Sequence, residues 1–464
     1  MRNPKVKQEK ATIYYREVDD YLTREQKLAA IAKQKSINSK GFVQKVLIPN
    51  NDGDWINQRS ELFGKLIPVA PEKKFTEGES FFVAQSVGVV SSRDSWVYNF
   101  SSNTLKKNIE NTINHYNVQT ELYRQGDELA PHRDSTKGSW SRDWRKQLKN
   151  GYKMTLEDEF RISSYRPFTQ INTYFSNDLN EERSQQPVLF PEKDTDNKVI
   201  CITGIGGTKD MSVLMANNVV DFQLIFNGQC FPLYWYKEKK SNSKTIDLFA
   251  EEDIDITKVE YERKDGVSNY ILGEAQIKYK TRAITKEEIF YYVYGILHSK
   301  DYRTKFSADL KKMWPRLPLV DTAADFKAFM EAGRKLADLH LNYEKRPKPQ
   351  EVVVECNSND CTVEKMKFKS KDDKSVIIYN NHITIRNIPL EAYEYVINGK
   401  SAIEWIMERY QVKVDKASQI KNDPNDWAKE HNDPTYILDL LLSIITVSLE
   451  TMKIVKGLPH IKFE

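Results

Sequence analysis

The run Val199-Ile200-Cys201-Ile202-Thr203 leads straight into Gly204-Ile205-Gly206-Gly207-Thr208-Lys209. A short apolar, β-branched run bounded by a glycine-rich turn reads as a strand, because such side chains fit a pleated surface and glycine supplies the reversal. From about Gly41 to Phe231 the same alternation recurs, with Gly/Asn/Pro-rich turns between strand-like runs and little sustained helical periodicity. The expected fold class is therefore α+β and loop-rich, an architecture in which surface loops carry recognition. The turn itself is the one candidate phosphate cradle. It matches neither G-x-x-x-x-G-K-[ST] nor a full G-x-G-x-x-G after a strand, so it reads as a tight turn. The functional alternative is a DNA phosphate resting on its amides and on Lys209.

Downstream, polar and acidic residues from Ser241 to Asp265 predict a solvated connection. Thr285-Lys286-Glu287-Glu288 is a capping box, in which hydroxyl and carboxylate satisfy free backbone donors at a helix start. It opens a helix with Ile289, Phe290, Val293, Ile296 and Leu297 on one face. A second helix is predicted from Asp325 to Leu341, with Phe326, Phe329, Met330, Gly333, Leu336 and Ala337 facing inward. Arg346-Pro347-Lys348-Pro349 reads as a linker, since the prolines remove donors and hold their predecessors extended.

After it, Val352–Val354, Val363–Phe368, Ser375–Tyr379 and Ile383–Ile385 predict a small antiparallel meander, and helices close the chain. Ser401-Ala402-Ile403-Glu404 caps one of them. Asp433-Pro434 places an N-cap before a first-turn proline in another. Tyr436 to Val455 is apolar but interrupted by Asp439, Ser443, Thr446, Ser448 and Glu450, so it reads as a buried terminal helix and not a membrane span. Upstream, Ala11 to Tyr15 (ATIYY) predicts a strand, and Thr23-Arg24-Glu25-Gln26 a capped helix carrying Leu28, Ala29, Ile31 and Ala32.

With 464 residues, 39% of them hydrophobic, the chain can bury a sizeable core in two or three domains. A net charge of +4 is too small for binding nucleic acid by bulk attraction, so any such contact needs a local patch. Four cysteines without an apolar leader segment point to a reducing cytoplasm. Cys356 and Cys361 bracket four residues, yet no second Cys/His pair follows at zinc-ligand distance.

One stretch concentrates positive charge. Arg133, Lys137, Arg142, Arg145, Lys146, Lys149 and Lys153 face only Asp134 and Asp143, with Trp140, Trp144 and Tyr152 interleaved. Lys and Arg can neutralise phosphates and release counterions while planar rings pack on sugars or bases. The alternative is a solvated helix face over core tryptophans. A second cluster, Lys300, Arg303, Lys305, Lys311, Lys312 and Arg316, reads as surface decoration. In Tyr165-Arg166-Pro167-Phe168 the arginine either locks the fold or reaches DNA. No H-E-x-x-H, G-x-S-x-G or Asn/Asp-Pro-Pro-aromatic tetrapeptide occurs.

The segments Ser139-Trp140-Ser141-Arg142, Ser164-Tyr165-Arg166-Pro167-Phe168, Gln229-Cys230-Phe231-Pro232-Leu233-Tyr234 and Tyr294-Gly295-Ile296-Leu297-His298-Ser299 with Tyr302-Arg303 resemble single-polypeptide type ISP restriction-modification enzymes. So do Leu310-Lys311-Lys312, Pro315-Arg316-Leu317-Pro318 and Asn398-Gly399-Lys400-Ser401-Ala402-Ile403-Glu404-Trp405. The resemblance implies the carboxy-terminal part of such an enzyme. Residues 1–40 would be the end of an adenine methyltransferase domain, 41–345 a target-recognition core, and 346–464 its C-terminal subdomain. The implied partners are double-stranded DNA and the enzyme's methyltransferase, helicase and nuclease domains, with no membrane and a cytoplasmic location. S-adenosylmethionine, ATP and Mg would serve the complete enzyme. No cofactor or catalytic residue is expected in this chain, and Met1 is either a true start or a fragment boundary.

The expected function is sequence-specific recognition of duplex DNA that presents an adenine to a methyltransferase. Lys137, Arg142, Arg145, Lys149, Arg166 and Lys209 are the expected contacts, and Trp140 a packing or stacking partner. Two rivals remain at this point, an active adenine methyltransferase subunit and a non-catalytic scaffold docking on a separate methyltransferase.

Overall fold

The computed structural model describes residues 12–463 apart from 20–21, 37–38, 40–44, 57, 130–133, 135, 208, 240–258 and 371. The chain divides into two compact units, Met1–Lys65 and Leu66–Glu464. In the first, β1 (Ile13–Tyr15) pairs antiparallel with β2 (Lys45–Leu47), and α1 (Arg24–Gln34) lies between them in sequence. The predicted capping box is present: Gln26 N donates to Thr23 Oγ1 at 3.3 Å, and Thr23 N donates to Gln26 Oε1 at 2.8 Å. Leu28 and Ile31 stand exposed on that helix. Ala11 of the expected strand lies outside the described residues.

The N-terminal part of the second unit includes β3 (Ser86–Val87), β4 (Tyr98–Asn99), α2 (Ser102–Arg124) and α3 (Arg142–Lys149). A run of strands follows: β5 (Phe160–Arg166), β6 (Thr169–Tyr174), β7 (Val199–Ile202), β8 (Val213–Ala216), β9 (Val219–Val220), β10 (Gln229–Pro232), β11 (Tyr234–Glu238) and β12 (Tyr261–Asp265). One four-stranded sheet has the order β9-β5-β6-β4 and another the order β3-β10-β7-β8. Every residue of β7, β8 and β10 is buried, as continuous apolar runs require. The glycine-rich segment is the return of the antiparallel pair β7/β8, which meet at Ile202 and Val213. Gly206 takes φ +84° there, a conformation glycine adopts without strain.

Three helices follow, α4 (Lys286–His298), α5 (Lys300–Lys305) and α6 (Ala323–Leu341), of which α4 and α6 pack against β8. Helices α4 and α6 cross at Gly295 and Gly333. A Cβ on Gly333 would sit 1.9 Å from Tyr291 O, and one on Gly295 would sit 2.1 Å from Phe329 O. The two backbones therefore approach as closely as glycine allows, which accounts for a glycine on an otherwise apolar face. Residues 240–258 of the predicted connection lie outside the described set. Its end is ordered, because β12 pairs along its length with β11.

The C-terminal strands are β13 (Val353–Cys356), β14 (Lys367–Phe368), β15 (Ile377–Ile378) and β16 (Ile383–Arg386). Their order is β13-β16-β15-β14, so the expected simple meander is corrected: the first strand pairs with the last. Next come β17 (Val396–Ile397), β18 (Lys400–Ser401), α7 (Ala402–Arg409), α8 (Pro424–Glu430) and α9 (Tyr436–Lys456). Helix α9 starts after Thr435, two residues beyond the predicted cap at Asp433.

The proline-flanked linker is no free hinge. Arg346 N donates to Ser443 Oγ at 2.8 Å, and its guanidinium donates to Asp338 at 2.7 Å. One apolar cluster runs on both sides of it, from Val89 through Tyr343 to Val447. The observed class is a mixed α+β fold with a helical block and a small antiparallel C-terminal sheet, as expected. Among the described residues no helix is long and apolar enough to cross a membrane.

Candidate nucleic-acid interface

Ser141 caps α3, accepting from Trp144 N at 3.3 Å, and the eight residues that follow sort cleanly by face. Trp144 and Leu148 point inward and are each 1% exposed. Arg142, Arg145, Lys146 and Lys149 fall at i, i+3, i+4 and i+7, so they share the opposite, exposed face. Arg142 lies 3.6 Å from Asp143, with its side chain 93% exposed. Lys137, just before the helix, is also exposed, whereas Arg133 of the predicted patch lies outside the described residues.

The inner face is anchored firmly. Trp144 Nε1 donates to Asp178 O at 2.7 Å, and the ring meets Trp140 and Tyr116 edge-on with centroids 5.4 Å away from each. Trp140 stacks on Tyr116 at 5.7 Å, so its ring packs within the fold, though Nε1 has no hydrogen-bond partner among the described residues. Of the two readings of Trp140, packing or stacking partner, the ring contacts are those of a packing partner.

Beneath Trp144 lies Arg93, whose guanidinium sits 4.0 Å from the ring centroid. It donates to Ser139 O at 3.0 Å, to Ser141 Oγ at 2.5 Å and to Glu181 at 3.2 Å. Burial pushes its pKa down to about 10, against the pull of Glu181, so it stays charged near neutrality. Arg93 thus holds the residues that cap the basic helix. Sequence reading missed it, because its partners lie some 46 to 88 residues away and no local pattern marks it.

Arg166 is turned inward, which removes it from the expected contact set. Its guanidinium donates to Asp221 Oδ1 at 2.5 Å and to Asp94 Oδ2 at 3.3 Å, and it covers the Tyr165 ring at 3.9 Å. Burial raises the Asp221 carboxyl to about 6, with Arg166 opposing that rise. Lys209 is tied to the C-terminal part of the chain. Its ammonium donates to Asn398 O at 2.7 Å, and the amide of Gly206 donates to Lys311 O at 3.2 Å. Two of the groups that would have held a phosphate on the glycine-rich turn are therefore engaged internally, and a strand rather than a helix follows the turn. Among the described residues no group of three His, Cys, Asp or Glu side chains converges as a metal site would.

The model of the type ISP C-terminal specificity domain family matches residues 80–440, most of the chain. The chain belongs to that family. Among solved structures, a nuclease-deletion mutant of the type ISP restriction-modification enzyme LlaGI, in complex with a DNA substrate mimic, is 34% identical. The match covers 98% of this chain and 33% of that one, with a TM-score of 0.83. The ATP-dependent type ISP enzyme LlaBIII bound to DNA is 32% identical over 98% of this chain and 28% of its own length, with a TM-score of 0.85. A DrdV–DNA complex shares the fold at 24% identity and a TM-score of 0.79, over 97% of this chain and 44% of that one. The specificity-domain chain thus spans about a third or less of the two type ISP enzymes it matches. Curated proteins gave no match.

Proposed function

We propose that this specificity domain binds duplex DNA and reads its sequence for a type ISP restriction-modification enzyme. The observation that carries the reading is the face of α3, where Arg142, Arg145, Lys146 and Lys149 align on a helix fixed to the core by Trp144 and Arg93. Rigidly held cations position a duplex through its phosphates, and neighbouring loops then read base edges. The DNA substrate mimic in the LlaGI structure and the DNA in the LlaBIII structure support the same reading.

Lys137, Arg142, Arg145 and Lys149 are the proposed phosphate contacts, joined by Lys146, which shares their face. Trp140 and Arg166 support the fold behind them, and Lys209 ties the β7/β8 turn to Asn398. Residues 1–40 are assigned to the end of a methyltransferase domain, 41–345 to the recognition core and 346–464 to its C-terminal subdomain. Presenting an adenine to a methyltransferase site in the longer enzyme, where S-adenosylmethionine, ATP and Mg act, completes the reading.

Fluorescence anisotropy of labelled duplex at rising salt tests it. The affinity should fall linearly on a double-logarithmic plot, and charge reversal at Arg145 and Lys149 should abolish binding while leaving the fold intact. Binding that ignores salt and both reversals would refute it.

A further inference from the structure

The segment Lys413-Val414-Asp415-Lys416-Ala417-Ser418-Gln419-Ile420-Lys421-Asn422 folds back on itself as an antiparallel hairpin, with Lys413 opposite Asn422 and Val414 opposite Lys421. Its turn is held by its own groups. Asp415 Oδ1 accepts from Ala417 N at 3.1 Å, from Ser418 N at 2.7 Å and from Ser418 Oγ at 2.8 Å, while Asp415 N donates to Ile420 O at 3.0 Å. The base of the hairpin is fixed to the fold, since Asn99 Nδ2 donates to Lys421 O at 3.0 Å and Phe100 N to Asn422 Oδ1 at 2.9 Å. The side chains of Lys413, Lys416 and Gln419 therefore stand exposed on a preorganised element.

Three consecutive residues join this hairpin to α3. Arg93 donates to Ser139 O and to Ser141 Oγ, which lead into and cap α3. Asp94 and Ser95 form one wall of a cleft of about 590 Å³ whose other wall includes Lys413, Asp415 and Lys416. The Ser418 amide and hydroxyl, and then the Ser95 hydroxyl, hold the Asp415 carboxyl below its ordinary value. At most about 8 Å of backbone separates Arg93 from Ser95, and a major groove is about 12 Å wide. The cap of α3 and the hairpin turn thus lie within reach of one duplex.

Charge on the cleft agrees with that placement. Among the described residues the ammonium groups of Lys413 and Lys416 have no hydrogen-bond or ion-pair partner. The two carboxylates beside them are engaged, Asp94 by the Tyr165 hydroxyl at 2.9 Å and Arg166 at 3.3 Å, and Asp415 by its own turn. Partial burial and then Arg409, with Lys400 and Arg166 behind it, hold the Lys413 ammonium below its ordinary value against the pull of Glu408. A phosphate placed there would offset the crowding of cations.

We infer that this hairpin is the base-reading element beside the phosphate-positioning helix, its turn entering a groove with Lys416 and Gln419 at base edges and Lys413 on a flanking phosphate. A two-stranded ribbon fits the major groove, where lysine donates to guanine O6 and N7. Gln419 Nε2 donates one hydrogen to Lys416 O at 2.7 Å, which fixes the amide and leaves Oε1 and the second hydrogen for an adenine edge. The inference rests on the DNA reading proposed above and names the residues that would supply its specificity.

Selection of bound duplexes from a randomised pool by the full chain and its variants, followed by salt titration of the selected duplex, tests it. Lys416→Ala and Gln419→Ala should each relax the selected sequence at one or two positions, with base preference there falling by about tenfold or more. Lys413→Ala should keep the selected sequence and lower the salt slope by about 1. All three side chains are exposed, so thermal unfolding should match the wild type. If the wild type selects one discrete sequence and Lys416→Ala and Gln419→Ala select the same one unchanged, the hairpin is not the reader, while the DNA reading itself stands. A wild type without salt-dependent binding would overturn both.

Discussion

At Arg93 a single side chain joins the basic helix to the rest of the fold. Its guanidinium is bound by Ser139, Ser141 and Glu181 and is covered by Trp144. Replacing it with methionine fills similar space but strands those acceptors. Arg93→Met should therefore lower unfolding stability by about 3 kcal/mol in urea titrations; a change below about 1 kcal/mol would show that the network adds little.

His298 makes a pH prediction with a definite sign. Its folded-state pKa of about 3 lies below the ordinary histidine value near ~6.5. The stability it contributes is fully present above ~6.5 and is lost as pH falls toward 3, at up to about 1.4 kcal/mol per unit. His298→Asn should flatten that acid slope in thermal unfolding, and identical slopes for both proteins would contradict the account.

Among the elements, α3 gives the sharpest contrast between its two faces. Arg145→Ala and Lys149→Ala should leave stability unchanged and reduce the salt slope of DNA binding by about 1 for each phosphate no longer neutralised. Trp144→Ala, from the other face, should cost about 3 to 5 kcal/mol of stability. The α4/α6 crossing makes a second case. Gly333→Ala places a methyl against Tyr291 O and should destabilise by about 1 to 3 kcal/mol through overpacking, measured by chemical denaturation.

Much at this scale was legible in the sequence. The capping boxes at Thr23, Thr285 and Ser401 all form, because a cap is a local pattern of four residues. The order of the C-terminal strands was not legible, since pairing β13 with β16 joins segments far apart in the chain. Trp140 and Arg166 each kept two readings for the same reason. Both sit in suggestive local sequence, and what decides their direction is Tyr116 in one case and Asp221 with Asp94 in the other.

For the whole molecule, the mixed α+β class followed from alternating short strands and turns, and the family from motifs spread along most of the chain. The small net charge implied a local patch, and the fold sets four of its cations, Arg142, Arg145, Lys146 and Lys149, on one helix face. The central claim is that this face positions DNA so that the domain can read sequence. Selection of bound duplexes from a randomised pool tests that most directly. The account predicts enrichment of one discrete sequence, with retention that weakens as salt rises. A bound fraction indistinguishable in sequence from the starting pool would contradict it.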